Sequence, residues 1–157
     1  MTTRAYSSPL GRILLRAEGK YLLSLQFDES TELPGDRTAD PAEQAVLEAA
    51  AAWTARFFRG ENPGPTPPLK PAGTAFQRRV WTLTAEIPWG ETRSYGELAQ
   101  ELGSSPRAVG GALGRNPILL MIPCHRVLGQ DGSLTGFAAG LDRKTALLAL
   151  EGYHPVR

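Results

Sequence analysis

The residues best suited to chemistry are Cys124 and His125, which stand side by side. Cys124 is the only cysteine of the chain, and His125 is one of two histidines. A thiolate is a far better nucleophile than a thiol, and a neighbouring imidazole can supply the base that makes one. Most lone cysteines are small buried hydrophobic residues, so the pair alone leaves a purely structural interpretation open.

Glu151 could complete a Cys–His–carboxylate arrangement. The sequence predicts a last helix that Asp142 caps and that ends at Glu151 and Gly152. A carboxylate in the last helical turn faces the negative end of the helix dipole, which disfavours it. Most such residues are solvated, but one that points inward could orient His125.

The stretch before Cys124 is expected to hold the cysteine in place. The apolar run 118–122 predicts a buried strand-like segment, which Pro123 stops because it lacks an N–H. Asn116 precedes Pro117, where an asparagine is usually a turn former. Its amide could equally fix the turn that carries the cysteine, and the sequence leaves both possibilities open.

A helix-turn-helix is predicted upstream of this stretch. Ser94 can cap a short helix with Glu97 as its capping-box partner, and Gly103 ends that helix. Pro106 fits the first position of the next helix. Two helices joined by a short turn with glycine are typical of DNA-binding proteins.

The second of these helices is rich in small residues. Gly110 and Gly111 lie within it, and each costs about 1 kcal/mol relative to alanine. Either close approach to a nucleic-acid backbone or tight packing on a neighbouring helix could offset this loss of helix stability, and composition alone favours neither. Arg107 at the start of the helix favours DNA, because arginine and helix N-termini both suit phosphate contacts.

The first half of the chain is predicted to be a support. Strands at 13–15 and 21–27 flank a turn at Gly19, and a third strand is expected around Ala5 and Tyr6. This pattern indicates a small antiparallel sheet.

A helix is predicted to pack on that sheet. Asp40 can cap it, Pro41 fits its first position, and Glu43 can complete a capping box. Its apolar residues recur at the spacing that a core-facing stripe requires: Val46, Leu47, Ala50, Trp53, Phe57 and Phe58. The proline-rich stretch 61–73 then predicts a stiff extended connector rather than a packed element.

Two domains are therefore expected, 1–69 and 70–157. The first carries seven Lys and Arg against nine Asp and Glu, and the second carries ten against seven. The sign of this difference suits a second half that meets phosphates, although its size decides nothing.

The composition excludes several classes of protein. A hydrophobic content of 41% and a charged content of 21% describe an ordinary soluble globular protein of 157 residues. One cysteine excludes an intrachain disulfide and a Cys-rich zinc site, and no metal or cofactor is expected. The chain lacks both a signal-peptide pattern and an apolar run of about 20 residues, so no membrane is expected. A reactive thiol favours a reducing compartment, hence the cytoplasm.

The second half closely resembles the O6-alkylguanine-DNA alkyltransferase family. Several blocks in the family's order carry this resemblance: Gly73-Thr74-Ala75-Phe76-Gln77, Ile87-Pro88-Trp89-Gly90, Ser94-Tyr95-Gly96, Arg107-Ala108-Val109-Gly110-Gly111-Ala112, Arg115-Asn116-Pro117 and Pro123-Cys124-His125-Arg126-Val127. By size and order only, residues 1–69 look like the family's variable N-terminal domain, an RNase H-like sheet with a helix.

The resemblance implies direct-reversal DNA repair. It implies that double-stranded DNA containing O6-alkylguanine binds through its minor groove, that the damaged base is flipped out, and that Cys124 accepts the alkyl group once. His125 would relay the thiol proton through a water toward Glu151, Asn116 would support the turn around the nucleophile, and Tyr95 would offer a proton to guanine. The resemblance further assigns DNA contacts to Ser94, Tyr95, Arg107, Ala108, Gly110, Gly111 and Arg115, and a substrate pocket to Leu113, Leu119, Val127, Phe137, Ala138 and Ala139. It implies a monomer without cofactor.

Four positions depart from the family's pattern. Phe137 stands where the family often has tyrosine, Ala138 and Ala139 replace residues that are commonly Ser or Gly, and Leu119 replaces a frequent proline. The last two changes bear on how bulky an alkyl group fits. Cys124 is not tryptophan, so the alkyltransferase-like class that binds lesions without removing them is not indicated.

Two other functions remain to be weighed. One is a DNA-binding regulator or lesion sensor in which Cys124 is incidental. The other is a cysteine hydrolase using Cys124, His125 and Glu151, although the chain has no Gly-x-Ser-x-Gly nucleophile signature to support it.

Overall fold

A computed structural model describes residues 1–29, 40–134, 137 and 139–153. The chain forms two compact units, Met1–Ala72 and Gly73–Arg157. The first unit holds strands β1 (Thr2–Ser8), β2 (Gly11–Glu18) and β3 (Tyr21–Phe27) and helix α1 (Pro41–Phe58). The second holds α2 (Ala75–Thr84), β4 (Arg93–Ser94), α3 (Tyr95–Leu102), α4 (Pro106–Gly114), a 3₁₀ turn (Cys124–Arg126), β5 (Val127–Leu128) and α5 (Leu141–Leu150). The predicted fold class, a sheet with a helix followed by a mainly helical half, is confirmed.

The first unit is an antiparallel sheet in the order β1-β2-β3 with α1 packed on it. Its core consists of alternate residues of β2, because a strand turns every second side chain to the same face, together with one stripe of α1 and two residues of β3 on either side of a register shift. The buried apolar residues of these elements are Ile13, Leu15, Ala17, Leu22, Leu25, Val46, Leu47, Ala50, Ala51, Trp53 and Phe57.

Helix α1 begins as predicted, with one exception. The Asp40 side chain accepts hydrogen bonds from the N–H groups of Ala42 and Glu43. The predicted capping box is wrong, because Glu43 is recruited elsewhere. Its carboxylate accepts from Thr2 Oγ1 at 2.5 Å and from the N–H of Gly19 at 2.9 Å. Glu43 thus ties the helix to β1 and to the turn between β2 and β3.

The proline-rich stretch 61–73 is largely exposed, but it is hydrogen-bonded to the sheet at one point, which the prediction of a stiff extended connector did not include. The N–H of Leu22 in β3 donates to the carbonyl of Pro68, and the N–H of Lys70 donates to the carbonyl of Leu22, both at 2.9 Å. Proline lacks an N–H but keeps its carbonyl acceptor, so a proline-rich segment can pair along a sheet edge.

The second unit contains the predicted helix-turn-helix, α3 and α4. Ser94 and Glu97 form a reciprocal capping box at the start of α3, and Gly103 ends the helix in the left-handed conformation at φ +63°. Ser105 caps α4, with Pro106 at its first position. The local signals of the sequence therefore set both helices.

Helix α2 supports these two helices. Trp81 is buried, and its indole N–H donates to the carbonyl of Ala112 in α4 at 2.8 Å. A Cβ at Gly73 would lie 2.5 Å from the Trp81 ring, so the chain needs glycine there. The helix ends at Thr84, and Ile87 is buried just beyond it.

A short parallel bridge joins the helix-turn-helix to the segment after Cys124. Arg93 pairs with Val127, and Ser94 pairs with Leu128. Two-residue strands are too short to leave a periodic pattern, so this bridge was not predicted. The bridge places the start of α3 beside the 3₁₀ turn that carries the cysteine. Within the described ranges, no helix is both long and apolar enough to cross a bilayer.

Candidate active site

The segment before Cys124 consists of buried turns, so the predicted strand is wrong. The N–H of Ile122 donates to the carbonyl of Ile118 at 3.0 Å, that of Met121 donates to Leu119 at 2.8 Å, and Leu120 has a φ of +70°. A uniformly apolar run reports burial but not periodicity, so it could not distinguish a strand from a coiled segment. The turns satisfy part of this segment's backbone polarity locally.

Asn116 holds this segment against the cysteine. It is 4% exposed, and its amide nitrogen donates to the carbonyl of Ile122 at 2.8 Å and to Cys124 Sγ at 3.3 Å. Its oxygen accepts from the N–H of Ile118 at 2.9 Å. Of the two interpretations open from the sequence, the side chain that fixes the turn is the one observed.

Cys124 lies at the wall of a cavity of about 740 Å³. The thiol is 4% exposed, and burial raises its pKa to about 11 even though Asn116 and Lys144 both act to lower it. At neutral pH the thiol of the free protein is therefore mostly protonated. The other residues that line the cavity are Tyr95, Gly96, Pro106, Arg107, Gly110, Leu113, Gly114, Gly129, Gln130 and Phe137.

His125 and Glu151 form a buried pair. His125 Nε2 lies 2.7 Å from Glu151 Oε2, and neither side chain reaches solvent. Burial lowers the pKa of His125, because the charged imidazolium is poorly solvated there. Burial alone would raise the pKa of Glu151, but hydrogen bonds from His125 and Arg126 outweigh it and lower that pKa. The inward-pointing Glu151 therefore orients His125, as the Cys–His–carboxylate interpretation requires.

Arg126 completes this cluster, and the sequence reasoning gave it no role. Its guanidinium donates to both oxygens of Glu151, at 2.8 to 3.0 Å. It also donates to the carbonyl of Ile87 at 2.6 Å. Nothing in residue type or spacing separates a buried arginine of this kind from an exposed one.

The comparisons with known proteins agree on one family. A family profile, the DNA-binding domain of 6-O-methylguanine DNA methyltransferase, matches residues 75–153. The methylated-DNA–protein-cysteine methyltransferase of Haemophilus influenzae is 42% identical over 149 residues, which cover 93% of this chain and 83% of that protein. The protein of the same name from Methanosarcina acetivorans is 45% identical over 152 residues, 94% of this chain and 96% of that one. The chain belongs to the methylated-DNA–protein-cysteine methyltransferase family.

A solved structure extends the comparison to three dimensions. The crystal structure of Mycobacterium tuberculosis OGT in complex with DNA has a TM-score of 0.82 to this chain at 40% identity, and the match covers 96% of this chain and 92% of that one. The family and the direct-reversal repair activity predicted from the sequence are confirmed.

The face of α4 clarifies why this methyltransferase carries so many small residues there. A Cβ at Gly110 would meet the Tyr95 ring at 3.9 Å, which is ordinary contact. No atom of the described residues comes within 4 Å of a Cβ built at Gly111 or Gly114. Packing among the described residues therefore does not account for Gly111. Arg107, Ala108 and Arg115 are exposed on the same helix or at its end, and Ser94 is half-buried at the start of α3.

The predicted pocket residues divide into two groups. Leu113 and Phe137 line the cavity. Val127 and Leu119 do not line it and are buried, at 0% and 2% exposed, and Ala139 is half-buried with its carbonyl accepting from Arg143. Ala138 lies outside the described residues.

Lys144 is a second functional side chain that the sequence reasoning missed. It is fully buried, its Nζ donates to the carbonyl of Val127 at 2.7 Å, and Nζ lies 5.7 Å from the centre of the Tyr95 ring. Burial lowers its pKa to about 8. A signal was present: Lys144, Leu147 and Glu151 recur at helical spacing and so share the inner face of α5. Among the described residues, no group of three or more His, Cys, Asp or Glu side chains is arranged to hold a metal.

Proposed function

We propose that this chain removes the alkyl group from O6 of guanine in double-stranded DNA and keeps it on Cys124. In one displacement the Sγ–carbon bond forms and the carbon–O6 bond breaks. His125 accepts the thiol proton and Tyr95 gives one proton to the departing guanine. Once His125 has released its proton and Tyr95 has regained one, the net change is one proton moved from the thiol to guanine. The observation that carries this proposal is the position of Cys124 at the wall of the cavity, next to the buried His125–Glu151 pair.

Neighbouring side chains favour each part of this step. Asn116 donates to Sγ and so stabilises the sulfur as it becomes negative. Tyr95 lines the same cavity and is the side chain we assign to donate a proton to guanine. Lys144 supplies a positive charge near both groups and, in our proposal, supports their change of charge.

DNA is proposed to bind along α4 through its minor groove. The exposed Arg107 and Arg115 would contact the DNA, while Ala108, Gly110 and Gly111 let its backbone approach, and Ser94 would contact it from the start of α3. Arg107 also lines the cavity, which suits a side chain that fills the space of a flipped-out base. Extrusion costs a few kcal/mol, and less for a base whose pairing is already weakened.

The reaction is proposed to be stoichiometric. The product is a thioether, and no side chain around Cys124 within the described cavity wall offers the chemistry to cleave a carbon–sulfur bond. We further propose that the protein acts as a monomer in the cytoplasm without metal or cofactor, since its reactive group is an unpaired thiol.

The test is the intact mass of the protein after incubation with duplex DNA carrying O6-methylguanine. Transfer adds one methylene, about 14 Da, to the peptide that contains Cys124 and stops after one equivalent. Cys124→Ala should lose the gain and keep its DNA affinity. Binding without a mass gain would instead support a lesion sensor, and repeated turnover on an ester or amide would support a hydrolase.

Base extrusion has a separate test. Arg107→Ala should slow repair of duplex DNA more than transfer from a free O6-alkylguanine base, because only the duplex requires a flipped nucleotide. Equal losses on both substrates would remove the role assigned to Arg107.

A further inference from the structure

We propose that Arg126 is a positioning residue for alkyl transfer: it holds Glu151 as a permanent anion, so that the proton leaving Cys124 stops at His125 and does not pass on to the carboxylate. This inference rests on the proposed function and adds where the thiol proton of Cys124 goes during transfer. It also replaces the expectation of a relay that runs on toward Glu151.

The geometry around the carboxylate carries the inference. Arg126 Nε donates to Oε1 at 2.8 Å and to Oε2 at 3.0 Å, and its Nη2 donates to Oε2 at 2.8 Å. The N–H of Gly90 donates to Oε1 at 3.2 Å, and His125 Nε2 lies 2.7 Å from Oε2. Five donor contacts from three residues thus converge on two oxygens. A carboxylate oxygen that took a proton would give up acceptor capacity on which these contacts depend.

Arg126 is itself held so that it cannot turn away. Its Nη1 donates to the carbonyl of Ile87, and its guanidinium carbon lies 5.9 Å from the centre of the Trp89 ring. The side chain is 8% exposed. A planar guanidinium can meet a carboxylate with two N–H groups and a carbonyl with a third at the same time, which a lysine ammonium on a flexible stem does less rigidly.

The charges around His125 define where the proton can rest. The 3₁₀ turn contributes Cys124 and Arg126, and helix α5 contributes Lys144 and Glu151. Both cations disfavour an imidazolium, and the Glu151 anion favours it. Because the anion is the partner in direct contact, His125 can hold the proton only while Glu151 stays ionised. Guanine takes its own proton from the cavity side, and His125 later loses its proton to solvent.

The experiment follows the two titrations directly in the full-length protein before any DNA is added. Carbon-13 NMR reports the Glu151 carboxyl and nitrogen-15 NMR reports the imidazoles, with His154→Gln identifying the signal of His125. In the wild type, the Glu151 carboxyl should stay ionised throughout the range in which His125 titrates. A Glu151 carboxyl that takes up a proton within that range would overturn the proposal.

Two variants then separate charge from packing. Arg126→Gln removes the cation, and the His125 midpoint should move up by about one pH unit, since the anion is no longer compensated. The acidic limb of the pH–rate profile for transfer should move with it. Arg126→Lys should give a smaller shift of the same sign. The matched control is Arg59→Gln, which removes an arginine from an exposed pair with Glu61 and should shift neither.

The outcomes remain decisive if one variant fails. A purely structural role for Arg126 predicts slower transfer with no change in the His125 midpoint or in the acidic limb of the pH–rate profile, and that result overturns the inference. Should Arg126→Gln not fold, the Glu151 titration in the wild type and the shift in Arg126→Lys decide the question. A wild-type protein that gains no alkyl mass on Cys124 refutes the proposed function instead, and the NMR titrations are read without reference to transfer.

Discussion

Asn116 offers the sharpest test of how the site activates its sulfur. If its N–H donor matters, Asn116→Asp should be slower than Asn116→Ala, and if only its shape matters, Asn116→Asp should be the faster of the two. Asn116→Asp keeps the shape of the side chain, but it replaces the N–H donor by a carboxylate oxygen that faces Cys124 Sγ, now 3.3 Å from the nitrogen. Asn116→Ala removes the donor and leaves a small void. If Asn116 acts by donating to the developing thiolate, Asp is the worse replacement.

The magnitudes can be worked from the contacts. A hydrogen bond to a charged group contributes about 1.5–3 kcal/mol, so Asn116→Ala should slow transfer about 10- to 100-fold. In Asn116→Asp the lost bond is joined by repulsion between two negative groups, about 5 kcal/mol for unit charges 3.3 Å apart at an effective dielectric of 20. The Asp variant should therefore be at least another 10-fold slower.

Stability needs to be measured alongside the rate. Asn116→Ala leaves the carbonyl of Ile122 and the N–H of Ile118 without their present partner in a buried turn, at about 1–3 kcal/mol each. Urea unfolding gives this loss, and transfer is then timed by intact mass at a temperature where each variant is folded. Asn62→Asp, at an exposed asparagine, is the matched control. An Asn116→Asp protein that transfers faster than Asn116→Ala would show that shape, not donation, is what the site requires.

Three further predictions concern the thiol, the buried lysine and the DNA-facing helix. Since the pKa of Cys124 is raised to about 11, its modification by iodoacetamide without DNA should accelerate about tenfold per pH unit from pH 7 to 10 by mass spectrometry, and a plateau near pH 8 would contradict this. Burial lowers the pKa of Lys144 from 10.5 to about 8, so its charged form costs about 3 kcal/mol at neutral pH. Lys144→Met should therefore raise the free energy of unfolding in urea at pH 7 and slow transfer. The gain in stability over the wild type should shrink between pH 8 and 10.5, and a gain that stays constant with pH would refute the lowered pKa of Lys144. Gly111→Ala should stabilise the fold by about 0.5–1 kcal/mol yet weaken binding to duplex DNA, and unchanged affinity would end the argument that a backbone approaches there.

The parts of the fold that the sequence predicted are those decided within a few residues. Ser94 and Glu97 cap each other, and Gly103 supplies the left-handed end, so helix α3 could be read from one short window. The same reasoning gave the wrong partner for Glu43, because a residue across the sheet competed for its carboxylate. Local signals name what a side chain is able to do, and distant partners decide which of those options it takes.

The site was predictable to the same degree. Cys124, His125, Glu151 and Asn116 were predicted from residue type and position, and the structure brings Asn116 to Cys124 and Glu151 to His125. Arg126 was missed because a charged side chain is normally exposed, and only the buried Glu151 makes its burial favourable. The sequence shows that a side chain is charged, but it does not show which oppositely charged side chain lies beside it in the folded protein.

The protonation state of Cys124 in the free protein bears on selectivity. A protein that we propose can accept only one alkyl group must avoid reacting with electrophiles other than the damaged base. With its pKa raised to about 11 by burial, Cys124 is mostly protonated at pH 7, so stray electrophiles meet a thiol rather than a thiolate. The groups that favour ionisation are nevertheless in place: the amide of Asn116 on the sulfur and the cation of Lys144 nearby. Burial opposes ionisation because it penalises a charged sulfur. When the electrophilic carbon occupies the cavity, the new sulfur–carbon bond removes the negative charge as it develops, so this penalty no longer applies in full. In the proposed mechanism, loss of the proton and attack on the carbon therefore belong to one event, and the burial that keeps the cysteine protonated without DNA would also exclude water from the attack.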